Sequence, residues 1–233
     1  MKKSLPAALA VLFMVLHYQG HAQYDDYGYD GPLFSRPKAL ALTVGSQGVG
    51  LDFTQSISFG LSARLGGSYL PFSYKYSGMF GSVDSDVKLK TKNFANAHLL
   101  LDWFPIDYLG LRITPGVGYF FNAKSIATVT PRGTYKYGDI DVTGEDIGTM
   151  TGTLEWKGLA PYLGVGWLFS FQEGESPISL SLDLGSYYLS RPDATLTGTK
   201  LLENNSYNEA RFQENVKNYR WLPVLQASLR YTF

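Results

Sequence analysis

From Ala39 to Phe233 apolar and polar residues alternate with a period of two, the mark of strands with two chemically distinct faces. Leu109 to Phe121 shows this most clearly. Leu109, Leu111, Ile113, Pro115, Val117, Tyr119 and Phe121 share one face; Gly110, Arg112, Thr114, Gly116, Gly118 and Phe120 share the other. The pattern returns in Ile57 to Tyr69, Ala95 to Trp103, Leu159 to Phe169, Ile178 to Tyr188 and Tyr219 to Phe233. At the start of the region Leu40, Leu42 and Val44 are apolar on even positions, whereas Val49, Leu51 and Phe53 are apolar on odd ones. The switch falls at Gly45-Ser46-Gln47-Gly48, which predicts a tight hairpin, or else a bulge inside one long strand. The hairpin gives eight strands, an even number that puts both ends of the wall on one side.

Connections alternate in length. Short turns are predicted near Gln55-Ser56, at Pro105 to Tyr108 and at Gln172 to Pro177, and long polar ones at Tyr74 to Lys92, Ala123 to Glu155 and Arg191 to Asn218. Ser125 to Tyr137 and Thr149 to Trp156 have the composition of a further hairpin, which would either make ten strands or extend the wall upward. Pro115, Pro161 and Pro223 sit inside strands and predict local bulges, since each forfeits a ladder hydrogen bond.

After Ala22 no apolar run approaches the ~18 residues of a helical span, so a membrane crossing would have to be made by a closed barrel. The polar face of the strands is mostly Gly, Ser and Thr, and only 17% of residues are charged, a poor coat for a soluble surface. If the C-terminus faces the periplasm, Phe53, Phe59, Trp103, Trp167, Phe169, Tyr231 and Phe233 fall at the inner end. Tyr69, Tyr119, Phe121, Tyr188, Tyr219 and Trp221 then fall at the outer end, giving the two interfacial girdles of a membrane barrel. The expected fold is an all-β, transmembrane, antiparallel up-and-down β-barrel of about eight strands, with ten possible.

Residues 1–22 read as a signal peptide: Lys2 and Lys3, an apolar run from Leu5 to Leu16, and small residues at Gly20 and Ala22. Residues 23–38, rich in Tyr, Asp, Gly and Pro, read as a flexible periplasmic N-terminal arm; Asp25, Asp26 and Asp30 do not have the spacing of a calcium loop. Residues 39–233 form the barrel. Cleavage removes two of 20 basic residues and leaves 18 against 20 acids, which gives no reason to expect nucleic acid as a partner. The chain has no cysteine, which excludes disulfides, thiolate metal sites and a lipidated N-terminal cysteine.

The ending Leu229-Arg230-Tyr231-Thr232-Phe233 resembles the C-terminal assembly signal of bacterial outer-membrane barrels, with Tyr231 and Phe233 as its aromatics. Val44-Gly45-Ser46-Gln47-Gly48-Val49-Gly50-Leu51 followed by Leu61-Ser62-Ala63-Arg64-Leu65-Gly66 resembles small porin-like barrels of the OmpW and OmpX type, common in Bacteroidetes and Proteobacteria. The resemblance covers Ala39 to Phe233 and is specific for architecture, not for function. It implies a Gram-negative outer-membrane location and insertion by the barrel-assembly machinery with the help of periplasmic chaperones.

Asp52, Arg64, His98, Asp102, Arg112, Asp183 and Arg230 fall on the lumen face. In a barrel of this size side chains fill the interior, so acids and arginines are expected to pair across it; the same groups could instead line a narrow ion-selective passage. Trp103, Trp167, Phe169, Tyr119, Tyr188, Trp221 and Tyr231 are the candidate girdle. Enzymatic function ranks third. His98 is the only histidine after residue 22, no serine stands two residues from it on its face, and one His without Cys leaves only carboxylates for a metal. No catalytic residue, metal or cofactor is expected. The leading function is structural support or passive passage of small solutes. The competing one is a surface binding or adhesion barrel acting through its long loops. Lys88-Leu89-Lys90-Thr91-Lys92 could meet lipopolysaccharide phosphates, and Tyr135-Lys136-Tyr137 with Asp139 and Asp141 a surface ligand. Outer-membrane lipid and lipopolysaccharide are the expected surroundings of a monomer.

Overall fold

The computed structural model describes residues 33, 36–80, 83–106, 109–137, 140–171, 176–203 and 206–233. The expected leader lies outside the described residues, as does most of the expected arm. Lys38, assigned from sequence to that arm, instead opens the first strand.

Thirteen strands follow in chain order among the described residues. They are β1 (Lys38–Gly45), β2 (Gly48–Ser58), β3 (Leu61–Tyr69), β4 (Ser73–Phe80), β5 (Val83–Lys92), β6 (Ala95–Ile106) and β7 (Leu111–Pro131). After these come β8 (Thr134–Tyr137), β9 (Ile140–Thr143), β10 (Met150–Ser170), β11 (Ile178–Tyr188), β12 (Asp193–Gly198) and β13 (Trp221–Thr232). Two helices, α1 (Gly144–Ile147) and α2 (Ser206–Val216), lie in the long connections.

Eight of these strands close a barrel in the order β1-β2-β3-β6-β7-β10-β11-β13, with β13 pairing back onto β1 and every pair antiparallel. Each wall strand neighbours the next in sequence, the up-and-down arrangement that leaves no free edge. Lys38 and Phe233 exchange backbone hydrogen bonds of 3.0 and 2.8 Å at the seam, so both ends of the wall lie on one rim.

The parity switch at Gly45–Gly48 is a hairpin, with Gly45 opposite Gly48. Gly48 has φ +86°, and a Cβ there would overlap the Tyr69 carbonyl of β3. Gly48→Ala therefore combines a left-handed backbone cost of about 1–2 kcal/mol with a steric one. The expected result is a lowered urea midpoint for the refolded barrel; an unchanged midpoint would mean the turn relaxes freely.

Three sequence expectations are corrected. The turn expected at Gln55-Ser56 lies at Phe59-Gly60, and Ile57 belongs to β2, because a register shift between Ser56 and Ser58 carries that strand further. Tyr219 precedes β13 instead of starting it. No bulge occurs at the prolines: Pro115 stays opposite Leu163, Pro161 opposite Val117, and Pro223 opposite Ser186, all in register. Each proline faces outward, and where Pro115 interrupts the pairing with β6 the flanking pairs Leu100–Gly116 and Trp103–Ile113 keep the register.

The connections expected to be long polar loops are ordered strands. β7 and β10, each 21 residues long, run through the wall and continue above it, paired from Leu111–Trp167 up to Val129–Met150. This pairing is the expected further hairpin in its wall-extending form, and the barrel itself keeps eight strands. Above the rim β5 adds to β7, β4 adds to β5, and β12 adds to β10, giving a raised five-stranded sheet. The free edge of β12 is capped by α2: Gln213 Oε1 accepts from Ala194 N at 2.7 Å, and Glu209 Oε2 accepts from Leu196 N at 3.0 Å.

Where wall becomes raised sheet, the phase of β7 changes. Phe120 and Ala123 are both fully buried, with Phe121 and Asn122 between them opposite the single residue Lys157. Asn122 takes φ +51°, a conformation Asn tolerates better than most residues. This bulge lets odd positions of β7 face inward above the rim, where even ones do below it.

Candidate functional site: a filled lumen beneath a raised sheet

Along the lower wall the apolar side chains point out. Leu42, Leu51, Leu65, Leu99, Phe121, Leu163, Leu184 and Leu225, one from each wall strand, are all half or more exposed. A contiguous apolar band around the whole circumference cannot face water without association, and it suits lipid hydrocarbon. Of the candidate girdle residues, Trp103, Trp167, Tyr119, Tyr188, Trp221 and Tyr231 are exposed and Phe169 half-buried. Tyr231 stacks on Phe233 with ring centroids 6.4 Å apart, and Arg220 lies 4.2 Å over the Tyr188 ring.

Inside, the lumen-facing charges join into one network. Arg112 grips Asp183 with Nη2 at 2.7 and 2.8 Å from its two oxygens, and donates from Nη1 to Asp102 at 3.4 Å. Arg64 donates to Asp102 at 2.8 Å and to Asp52 at 3.5 Å, with Asp183 at 3.6 Å. Thr114 donates to Asp102 at 2.8 Å and Ser181 accepts from Arg112 at 3.3 Å. His98 places Nε2 3.0 Å from Asp52 and Nδ1 3.2 Å from Asn96. Asn96 donates to Ser68 at 2.8 Å and to Gln47 at 3.3 Å, which carries the chain to the β1–β2 turn. All these side chains are buried, and they cross-link β2, β3, β6, β7 and β11 through the interior. Arg230 of β13 is half-buried on the same face.

Six of the seven residues assigned to the lumen from sequence are thus brought into direct contact with one another. The wall makes room for them with glycines. A Cβ at Gly66 would overlap Asp52 and His98, and one at Gly166 would overlap Asp183 and Arg112.

Sequence reasoning missed a second layer. Phe94, Leu100, Phe120, Trp156, Tyr162, Tyr187, Leu189 and Val224 form a buried apolar cluster toward the outer rim. Phe120 meets Phe94 edge-on at 6.2 Å and Tyr187 at 5.4 Å; Tyr187 meets Tyr162 at 4.6 Å. Trp156 donates its indole N–H to the Tyr219 carbonyl at 3.0 Å, tying the layer to the segment after α2. The signal was present in Phe120, Tyr162 and Tyr187, which sit at lumen parity among glycines and serines. Trp156, the last residue of the expected further hairpin, lies in β10 and is buried in this layer.

Above this layer the inward face of the raised sheet is apolar. Val87, Leu89, Ala127, Val129, Met150, Gly152, Leu154 and Leu196 share it by register, with Tyr74 and Tyr76 at the β4 edge. A Cβ at Gly152 would lie 3.2 Å from the Phe212 ring of α2, so that helix packs over the β12 side of the face. Tyr74 and Tyr76 are about half exposed at its opposite edge.

No family model matches the chain, and no curated protein sequence matches it. Solved structures do. The crystal structure of Acinetobacter baumannii CarO aligns with a TM-score of 0.62 at 19% identity, over 87% of this chain and 100% of that one. Acinetobacter baumannii CarO2 aligns with a TM-score of 0.62 at 18% identity, over 85% of this chain and 99% of that one. The chain shares their fold. A major outer membrane protein from Thermus thermophilus aligns at a TM-score of 0.45 and 14% identity, over 85% of this chain and 100% of that one.

Proposed function

We propose that this chain is a porin-like protein of the Gram-negative outer membrane whose lumen is closed, and that it acts as a structural barrel presenting a binding surface at its outer rim. The observation that carries this reading is the double filling of the lumen. A passage needs charges that face water, and here Arg64, Arg112, Asp52, Asp102 and Asp183 are directed at one another, with an aromatic layer above them. The surface-binding reading gains from the raised sheet, which gives the long connections a fixed shape that a binding surface can use. Outer-membrane lipid as surroundings, delivery by periplasmic chaperones and insertion by the barrel-assembly machinery belong to the same proposal, as does the OmpW- or OmpX-type affiliation.

The test is conductance. The mature chain, refolded in detergent and checked by a heat-dependent gel shift, is expected to show no discrete channels in a planar bilayer. Stable unit conductance whose ion preference changes with Arg112→Ala would overturn the closed-lumen reading and restore passive passage.

A non-enzymatic role is part of the proposal. The ring nitrogens of His98 face Asp52 and Asn96, not a hydroxyl that the imidazole could activate. Cells carrying His98→Ala are expected to keep an unchanged outer-membrane lipid profile, whereas a specific change in acylation would support the enzyme class instead.

A further inference from the structure

We propose that the outward face of β4, β5 and the upper part of β7 is a docking surface for the phosphates of lipid A, the anionic glycolipid of the outer leaflet. Lys88, Lys90 and Lys92 alternate along β5 and so project from one face. Register places Lys75 of β4 directly opposite Lys88, and Lys124 of β7 directly opposite Lys92. Five ammonium groups therefore share one face, and it is the outer one, because Val87 and Leu89 occupy the inner. Lys75, Lys88, Lys90 and Lys92 are exposed. Among the described residues none of those four has a carboxylate within ion-pair distance. Lys124 pairs with Glu155 at 2.8 Å. Asp84 and Asp86 stand at the far end of the same strand face, and Asp86 is engaged by Ser77 at 2.5 Å and Arg132 at 3.4 Å. Asp193 lies across from Glu155 on β12.

Like charges directly opposite across a strand pair destabilise it. One such pair, Lys75–Lys88, is a standing cost unless an anion bridges it; at Lys92–Lys124 the Glu155 carboxylate already offsets part of the charge. Height points to the anion's source. Lys124 is three residues beyond the girdle residue Phe121. At a rise of about 3.3 Å per residue and a strand tilt near 40°, Lys124 and Lys92 stand roughly 7 Å above that ring, with Lys90 and Lys88 about 5 Å higher at each step. Those heights begin at the headgroup level and continue above it. A phospholipid headgroup brings one phosphate to one level of the stripe, whereas the two phosphates of one lipid A molecule can meet two of its lysines at once. Arginine-free lysine clusters bind phosphate as point charges, which suits a mobile glycolipid headgroup.

The inference rests on the outer-membrane reading but not on the closed lumen, so the two fail separately. The probe is bis-phosphorylated lipid A titrated into the refolded barrel in neutral detergent micelles, with binding followed by intrinsic fluorescence. Dephosphorylated lipid A and phosphatidylglycerol serve as comparisons. With roughly 1 kcal/mol for each lysine near an anionic surface, Lys88→Gln/Lys90→Gln/Lys92→Gln is expected to weaken bis-phosphorylated lipid A binding on the order of 100-fold. The corresponding triple Lys→Arg variant should retain it, Lys136→Gln on the β8–β9 hairpin should not alter it, and added salt should weaken it. Equal binding of dephosphorylated lipid A, equal binding of phosphatidylglycerol, or an unchanged affinity in the triple Gln variant would each overturn the proposal. The gel shift shows whether the variant barrel is folded, and the Lys→Arg variant supplies the reading if it is not.

Discussion

Arg112→Ala is expected to lower the unfolding free energy of the refolded barrel by about 3–5 kcal/mol, the cost of leaving buried charge without its partner. Arg112 is 2% exposed, and its guanidinium holds Asp183 at 2.7 Å and also reaches Asp102 at 3.4 Å. Its removal leaves two buried carboxylates still in contact with Arg64, which also contacts Asp52. Removing both members of the tighter pair, Arg112→Leu with Asp183→Leu, is expected to cost much less than the sum of the single changes, because the uncompensated charge goes with them. Urea unfolding followed by tryptophan fluorescence measures all three. A loss below about 1 kcal/mol for Arg112→Ala would mean that water reaches the network, and would favour an open passage.

The second large effect is expected at the aromatic layer. Phe120→Ala should cost about 3–5 kcal/mol, the usual range for deleting a buried ring. Phe120 is fully buried and packs edge-on against two other rings. Its truncation should not open a channel, because the ionic layer nearer the other rim still fills the bore. Stability and conductance measured on the same variant separate the two layers. A channel appearing in Phe120→Ala alone would show that the aromatics are the gate and the charges merely its lining.

The eight-stranded wall could be read from sequence because lipid and lumen impose opposite chemistry on alternate residues for the full length of each strand. The same alternation puts Asp52, Arg64, His98, Asp102, Arg112 and Asp183 on the face that the structure buries. What could not be read was the raised sheet. Above the rim the rule inverts: Val87, Leu89 and Val129 turn inward, and lysines and threonines turn outward. A segment such as Asp84 to Lys92, dense in charge, then looks like a solvated loop. The phase change at Asn122 also hides β7's continuation, since parity breaks where the strand does not. The helix α2 carries few apolar residues, and its role is to satisfy the edge of β12 through Gln213 and Glu209, a contact without periodicity.

The seam has a consequence in time. The strands that close the wall, β1 and β13, are the first and last among the described residues, so closure must wait until both have been made. Such distant pairing is intrinsically slow. Until it happens the barrel is an open, curled ribbon with two unpaired edges. Its two faces tolerate that interval differently: the face destined for the lumen carries serines, threonines, aspartates and arginines that water can hydrate, while the other carries the leucine band. An unfinished wall can therefore lie with one side in lipid and the other wet. The arrival of β11 brings Asp183 to Arg112, and the arrival of β13 buries the network inside the closed wall. Pairing of β1 with β13 is thus the step that turns a two-faced ribbon into a wall with a buried polar interior.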